Sequence, residues 1–204
     1  MNFLSNENIQ LFLLAYIVGG IPFGLILAKI FGGVDIRKEG SGNIGATNVL
    51  RVLKKKDPVL AKKVGIATLV FDIFKGIAVL LVAMMLDASE ATLWGVATLS
   101  VVGHCFSLFL WFEGGKGVAT GFGVLAVMLP YAAIVGVVVW GVAAKSIKIS
   151  SLSSLMGVIA TLIASFVLYP DMAHAPVVLI IFFIVYKHSD NIIKLIKGEE
   201  KRIV

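Results

Sequence analysis

Apolar residues in this chain gather into long runs instead of recurring at the three- and four-residue spacing of a soluble amphipathic helix. Runs cover 11–31, 64–86, 91–112, 118–144, 151–169 and 176–186, with polar stretches between them. Runs near 20 residues match the hydrocarbon thickness of a bilayer, which predicts transmembrane helices. The first is interrupted at Gly19-Gly20 and Pro22, where neighbouring helices are expected to bond the backbone groups that the proline frees. The run 118–144 has 27 residues, about 40 Å as one helix. A single crossing there puts Lys145 and Lys148 on the outer side, against the positive-inside rule. A split at Pro130 returns both lysines to the inside, as two short and thin or partly re-entrant segments.

The fold expected is an all-α membrane protein, a polytopic bundle of seven transmembrane helices, or five plus a re-entrant unit. Either odd count places the N-terminus outside and the C-terminus in the cytoplasm. No linker or repeat divides residues 1–204, so one domain is expected. Asn6 and Glu7, not a basic region, precede the first run, which reads as an uncleaved span.

Composition agrees: 59% of the 204 residues are hydrophobic and 15% charged, well away from the balance of soluble domains. The net charge is +6, and eight Lys or Arg fall within 32–63, which assigns that segment to the cytoplasmic side. Such basic loops also suit anionic head groups or substrates. Cys105 is the single cysteine, so no disulfide closes within the chain.

Four polar constellations interrupt the apolar pattern. Gly40-Ser41-Gly42-Asn43-Ile44-Gly45-Ala46-Thr47-Asn48-Val49-Leu50-Arg51 combines glycines that let backbone N–H groups approach an anion, neutral donors, and a guanidinium fork matched to phosphate. It formally satisfies G-x-G-x-x-G, but no strand precedes it and no βαβ unit fits. The alternative is an interhelical turn with an N-cap at Asn43. Gly103–Thr120 carries Glu113-Gly114-Gly115-Lys116-Gly117. Gly117 stands where a nucleotide P-loop needs Ser or Thr, so the segment reads as a phosphate cradle or as a basic anchor beside a tight turn. His104 reads as a hydrogen-bonded packing residue. Ser150-Ser151-Leu152-Ser153-Ser154 opens a helix, as caps or as an anion site. Tyr186-Lys187-His188-Ser189-Asp190-Asn191 closes the last run, with His188 and Asn191 on one helical face; an ordinary polar helix exit reads the same way. Asp72 and Lys75, three apart inside the second run, read as a structural ion pair.

With these motifs in this order, the chain resembles, almost end to end, the PlsY family of bacterial acyl-phosphate-dependent glycerol-3-phosphate acyltransferases. The resemblance runs through Gly19–Gly24, Gly40–Arg51, Gly103–Thr120, Ser151–Ser154 and His188–Glu200. It implies acyl transfer from acyl-phosphate to the 1-hydroxyl of glycerol 3-phosphate, giving lysophosphatidic acid and phosphate, the first acylation of bacterial phospholipid synthesis. Carried over, it implies catalytic roles for Ser41, Arg51, Lys116, His188 and Asn191. It implies substrate or phosphate binding by Asn43, Thr47, Asn48, Gly114, Gly115, Gly117 and Ser154, with Glu200 a structural tie in the tail. Ser107 departs from the proline usual after Phe106, which is expected to loosen one turn. Lys187 and Lys194 replace arginines, keeping charge but losing the fork.

Two anionic substrates repel, and Arg51, Lys116 and, if protonated, His188 are the cations available. An activated acyl donor leaves positioning and charge stabilisation as the main catalytic work. No Ser-His-Asp triad is evident, so a substrate phosphate is preferred over His188 as the proton acceptor. His-x4-Asp, the mark of thioester-using glycerolipid acyltransferases, is absent: Phe109, Leu179 and Ile193 follow the three histidines at that spacing. No metal, cofactor, nucleic acid or obligatory protein partner is expected; membrane lipid is the surroundings. An organic-phosphate transporter and a lipid-phosphate phosphatase are the rival readings. All of this requires Arg51, Lys116, Ser154 and His188 to meet in one pocket at the inner face of the bacterial cytoplasmic membrane.

Overall fold

A computed structural model describes residues 6–202. Among them the secondary structure is entirely helical: α1 (Glu7–Gly20), α2 (Phe23–Gly32), α3 (Ala46–Leu53), α4 (Pro58–Met85), α5 (Glu90–Cys105), a 3-10 turn (Leu108–Leu110), α6 (Val118–Met128), α7 (Pro130–Ser146), α8 (Ser150–Leu168), α9 (Ala175–Tyr186) and α10 (Ser189–Ile196).

Four segments are long and apolar enough to cross a bilayer: Glu7–Gly32 taken through its break, Pro58–Met85, Glu90–Leu110 and Ser150–Leu168. The pair α9 and α10 makes a fifth if its 60° bend is counted within one span. Residues such as Ile30, Phe74, Val142 and Ile163 leave large apolar side chains exposed on the outside of the bundle, as lipid-facing surfaces do. The chain is a multi-pass membrane protein.

Local chemistry sets the boundaries. Pro22 disfavours helix at Ile21 and brings no N–H of its own, so α1 stops and α2 restarts. The freed carbonyls are bonded from elsewhere in the bundle: Ser107 Oγ, in the loop after α5, donates to Gly20 O at 2.6 Å and Lys75 Nζ, on α4, to Ile21 O at 3.0 Å. Ser107 therefore ties two segments together and does not loosen its turn, because its hydroxyl makes a bond that a proline could not. The second span starts earlier than hydropathy suggests. Asp57 caps α4 by accepting from Val59 N and Leu60 N, with Pro58 in the first turn, so the helix carries Lys62 and Lys63 beyond the apolar stretch. The α-helix of the third span ends at Cys105, before the apolar run does.

The split at Pro130 appears as the break between α6 and α7 at Leu129. With 11 residues, α6 reaches only about 16 Å. It packs against α4, while α7 lies along α8. Glycines allow the closest approaches: a Cβ at Gly19 would meet Ser100 O at 2.2 Å, and one at Gly103 would meet Tyr16 O at 2.2 Å, joining α1 to α5. A second core, under α2, α3 and the start of α4, is built from Leu25, Ile36, Val49, Leu53 and Val64.

Candidate active site

Residues from all four polar constellations line one cavity of about 370 Å³. Arg51, Lys116, Ser154 and His188 are all on its wall. The convergence that the sequence reading required is therefore present.

The first wall is α3 and the loop before it. Asn48, 2% exposed, organises that loop. Its Nδ2 donates to Ile36 O at 2.9 Å and Asn43 O at 2.8 Å, and its Oδ1 accepts from Ser41 N at 2.8 Å. Its amide hydrogens and its carbonyl are all in use, so Asn48, which also lines the cavity, shapes the loop. The reason is burial: an Asn inside a glycine-rich loop bonds to the nearest backbone. Asn43 Oδ1 accepts from Gly45 N at 2.8 Å, and Thr47 Oγ1 lies 3.2 Å from Ser150 Oγ, joining α3 to α8. Ser41, Asn43 and Thr47 still face the cavity. One turn along α3, Arg51 reaches it with no ion pair or hydrogen bond to any described residue.

The second wall is the glycine loop. Gly114 N and Gly115 N donate to Cys105 O and His104 O, closing the C-terminus of α5. Neither glycine is on the cavity wall, whereas Lys116 and Gly117, which follow them directly, are. They are glycines because of contact: a Cβ at Gly114 would meet His104 O at 2.1 Å, and one at Gly115 would meet His104 Nε2 at 2.2 Å. Gly117 does line the cavity, caps α6 with φ +79°, and has no room for a Cβ beside Cys105 Sγ. Between them, Lys116 Nζ donates to Asn191 Oδ1 at 2.6 Å.

The third wall comes from α8 and the C-terminal tail. Glu200 Oε1 accepts from Ser151 Oγ at 3.0 Å and from Asn191 Nδ2 at 2.9 Å, a tie between the tail, α8 and α10. Ser154, 7% exposed, faces the cavity with its hydroxyl bonded to no described residue. His188, 2% exposed, donates from Nδ1 to Ile184 O at 2.7 Å. A carbonyl only accepts, so Nδ1 holds the proton and Nε2 carries a lone pair.

Electrostatics distinguishes the cationic groups. Burial pushes the Lys116 ammonium below the ordinary lysine range; the Glu200 carboxylate opposes this and Arg51 adds to it. Burial likewise pushes His188 down to about 4, against the Ile184 carbonyl. His188 is thus neutral at neutral pH and is not one of the cations. The positive charge belongs to Arg51 and Lys116, which repel one another across a space suited to an anion.

The floor was only partly read from sequence. Asp72 and Lys75 form the expected ion pair at 2.8 Å, both essentially buried. Thr120 Oγ1 donates to Asp72 O at 2.8 Å, tying α6 to α4. His104 sits beside the pair with Nδ1 2.8 Å from Lys75 Nζ and lines the cavity. An apolar wall of Leu69, Ile73, Phe122, Val137 and Trp140 completes the space. Those residues belong to hydrophobic runs, and no local signal separates them from lipid-facing neighbours.

The family model described as glycerol-3-phosphate acyltransferase matches residues 9–198. The glycerol-3-phosphate acyltransferase of Sulfurimonas denitrificans is 60% identical over the full length of both chains, and that of Aliarcobacter butzleri 55% identical, again over both full lengths. Among solved structures, PlsY (YgiH), an integral membrane glycerol 3-phosphate acyltransferase in its glycerol 3-phosphate form, is similar with a TM-score of 0.85 at 34% identity, covering 98% of this chain and 96% of that one. Its lysophosphatidic acid form gives a TM-score of 0.83 at the same identity. This chain belongs to the glycerol-3-phosphate acyltransferase family.

Proposed function

We propose that the chain transfers an acyl group from an acyl phosphate to the 1-hydroxyl of glycerol 3-phosphate at the cytoplasmic face of the bacterial inner membrane. The new bond joins the glycerol oxygen to the acyl carbon; the bond between that carbon and the phosphate oxygen breaks. Lysophosphatidic acid and inorganic phosphate leave. The observation that carries this reading is the pairing of Arg51 and Lys116 around one cavity that also has an apolar wall. Cations answer the two phosphates, and the wall answers an acyl chain.

A phosphate monoester carries between one and two negative charges near neutral pH, with a second pKa of about 6. Arg51 offers a planar fork and Lys116 a point charge, so two anions can lie close enough to react. The hydroxyl proton passes to a substrate phosphate. An imidazole pushed down to about 4 is the weaker acceptor, since efficient bases titrate near the working pH. His188 Nε2 instead accepts a hydrogen bond from the hydroxyl and orients it. Ser41 and Ser154 add neutral donors.

The basic segments 54–63 and 194–202 follow Arg51 and Asn191 closely in sequence, which supports a cytoplasmic opening, an outer N-terminus and a cytoplasmic C-terminus. Purified protein given glycerol 3-phosphate and a long-chain acyl phosphate, without CoA or metal, is expected to release lysophosphatidic acid detectable by mass spectrometry. Product from acyl-CoA or acyl carrier protein alone would overturn the donor. No product from any donor, with an active relative assayed alongside, would overturn the reading.

A further inference from the structure

The cavity contains a second imidazole that the reaction above does not use. His104, on the last turn of α5, is 4% exposed and lines the cavity. Its Nδ1 lies 2.8 Å from Lys75 Nζ. That ammonium is also 2.8 Å from Asp72 Oδ1 and 3.0 Å from Ile21 O. An ammonium has hydrogens to donate and no lone pair, so at 2.8 Å Nδ1 must accept from it, which places the proton on Nε2. Nε2–H is bonded to no described residue and lies over Gly115, where only a glycine leaves it room. His188 has the opposite arrangement, with its proton on Nδ1 and its lone pair on Nε2.

We propose that His104 Nε2–H is a neutral hydrogen-bond donor to the carbonyl oxygen of the acyl donor. The inference rests on the acyl-phosphate reading. Three observations select that oxygen over a phosphate oxygen. Asp72 lines the same floor, with Oδ1 3.7 Å from His104 Nδ1, and it cancels the charge of Lys75, so the floor offers a phosphate no net positive charge. Arg51, with no ion pair or hydrogen bond to any described residue, belongs to a different wall. Ile73, next to Asp72 in sequence, also lines the cavity, so apolar lining adjoins the floor and suits the start of an acyl chain. Attack by the glycerol hydroxyl pushes an electron pair onto that oxygen, and a donor fixed in advance stabilises the charge as it forms. Lys75 and Asp72 are positioning residues: they set the tautomer and hold the ring.

The test compares His104→Asn, which keeps an acceptor near Lys75 and removes the donor, with His104→Gln, which keeps an amide N–H near Nε2. Kinetics of the purified variants with acyl phosphate and glycerol 3-phosphate are expected to show kcat lowered about 100- to 1,000-fold in His104→Asn, KM for glycerol 3-phosphate within about threefold, and part of kcat recovered in His104→Gln. A kcat within about threefold of wild type in His104→Asn, or a rise in KM at unchanged kcat, overturns the proposal. If the variants do not fold, the wild type decides. A long-chain β-keto alkylphosphonate, which keeps the carbonyl, is expected to inhibit it at least about tenfold more tightly than the alkylphosphonate lacking it, and equal inhibition overturns the proposal. A wild type that ignores acyl phosphate but uses another acyl donor fails the parent reading alone, and the same variant comparison with that donor then decides for His104.

Discussion

Asn191 holds Lys116 in place: its Oδ1 accepts from Lys116 Nζ at 2.6 Å while its Nδ2 donates to Glu200 Oε1 at 2.9 Å. The lysine is therefore aimed by a neutral group, with the nearby carboxylate one residue removed. A lysine paired directly with a carboxylate has its charge cancelled, whereas one held by an amide keeps that charge for a substrate. Lys116→Ala is expected to lower kcat/KM at least about 100-fold, or about 2.7 kcal/mol in barrier. Asn191→Asp is expected to lower it at least about tenfold by giving the lysine a charged partner. Steady-state kinetics on folded, detergent-purified protein checks both, and near-normal turnover in either variant removes the assigned role.

Arg51 has no partner among the described residues, so its whole donor fork faces the cavity. Arg51→Lys preserves charge but loses two-point recognition and is expected to cost about tenfold in kcat/KM. Arg51→Ala is expected to cost at least about 100-fold. Equal activity of the Lys variant and the wild type would show that only charge matters at this position.

Asp72 and Lys75 are a buried pair, and removing one member leaves an uncompensated charge. Asp72→Ala is expected to destabilise the protein by about 3–5 kcal/mol, whereas Asp72→Leu with Lys75→Met costs less. Thermal unfolding in detergent distinguishes these. A double variant less stable than the single one would contradict the ion-pair account.

Ser107 closes the carbonyl of Gly20 left open by the break before Pro22. Ser107→Ala leaves that buried acceptor unbonded and is expected to cost about 1–3 kcal/mol. A change in melting temperature within experimental scatter would show that another group takes over the carbonyl.

His188 is buried neutral and pushed down to about 4, below the unfolded value of about 6.5. Below that unfolded value the unfolded chain binds the proton more readily. The stability that neutral His188 contributes is therefore fully present above about pH 6.5 and is lost as pH falls toward 4. Between pH 6.5 and 5 the loss is expected to be about 1–2 kcal/mol. His188→Gln is expected to flatten this part of the melting profile, and an unchanged acid slope would contradict the burial account.

The run lengths, the break at Pro22 and the division at Pro130 were legible in the chain itself, because lipid demands apolar length and proline removes a backbone donor wherever it stands. Asp57-Pro58 also marked the true start of α4, although hydropathy alone passed over it. The residue types of the site were legible too. Lys116, Ser154 and His188 stand near the ends of apolar runs and Arg51 in the polar segment between two of them, where polar groups escape the cost of lipid and an anionic substrate can reach them. Their meeting in one cavity was decided only by packing, since it joins positions more than 130 residues apart. Packing also decided direction. Asn48 turned inward to its own loop, Gly114 and Gly115 gave their N–H groups to α5, and the two imidazoles took opposite tautomers from Lys75 and from Ile184. A hydrogen bond depends on which atom lies within about 3 Å, and that distance exists only once the helices have packed.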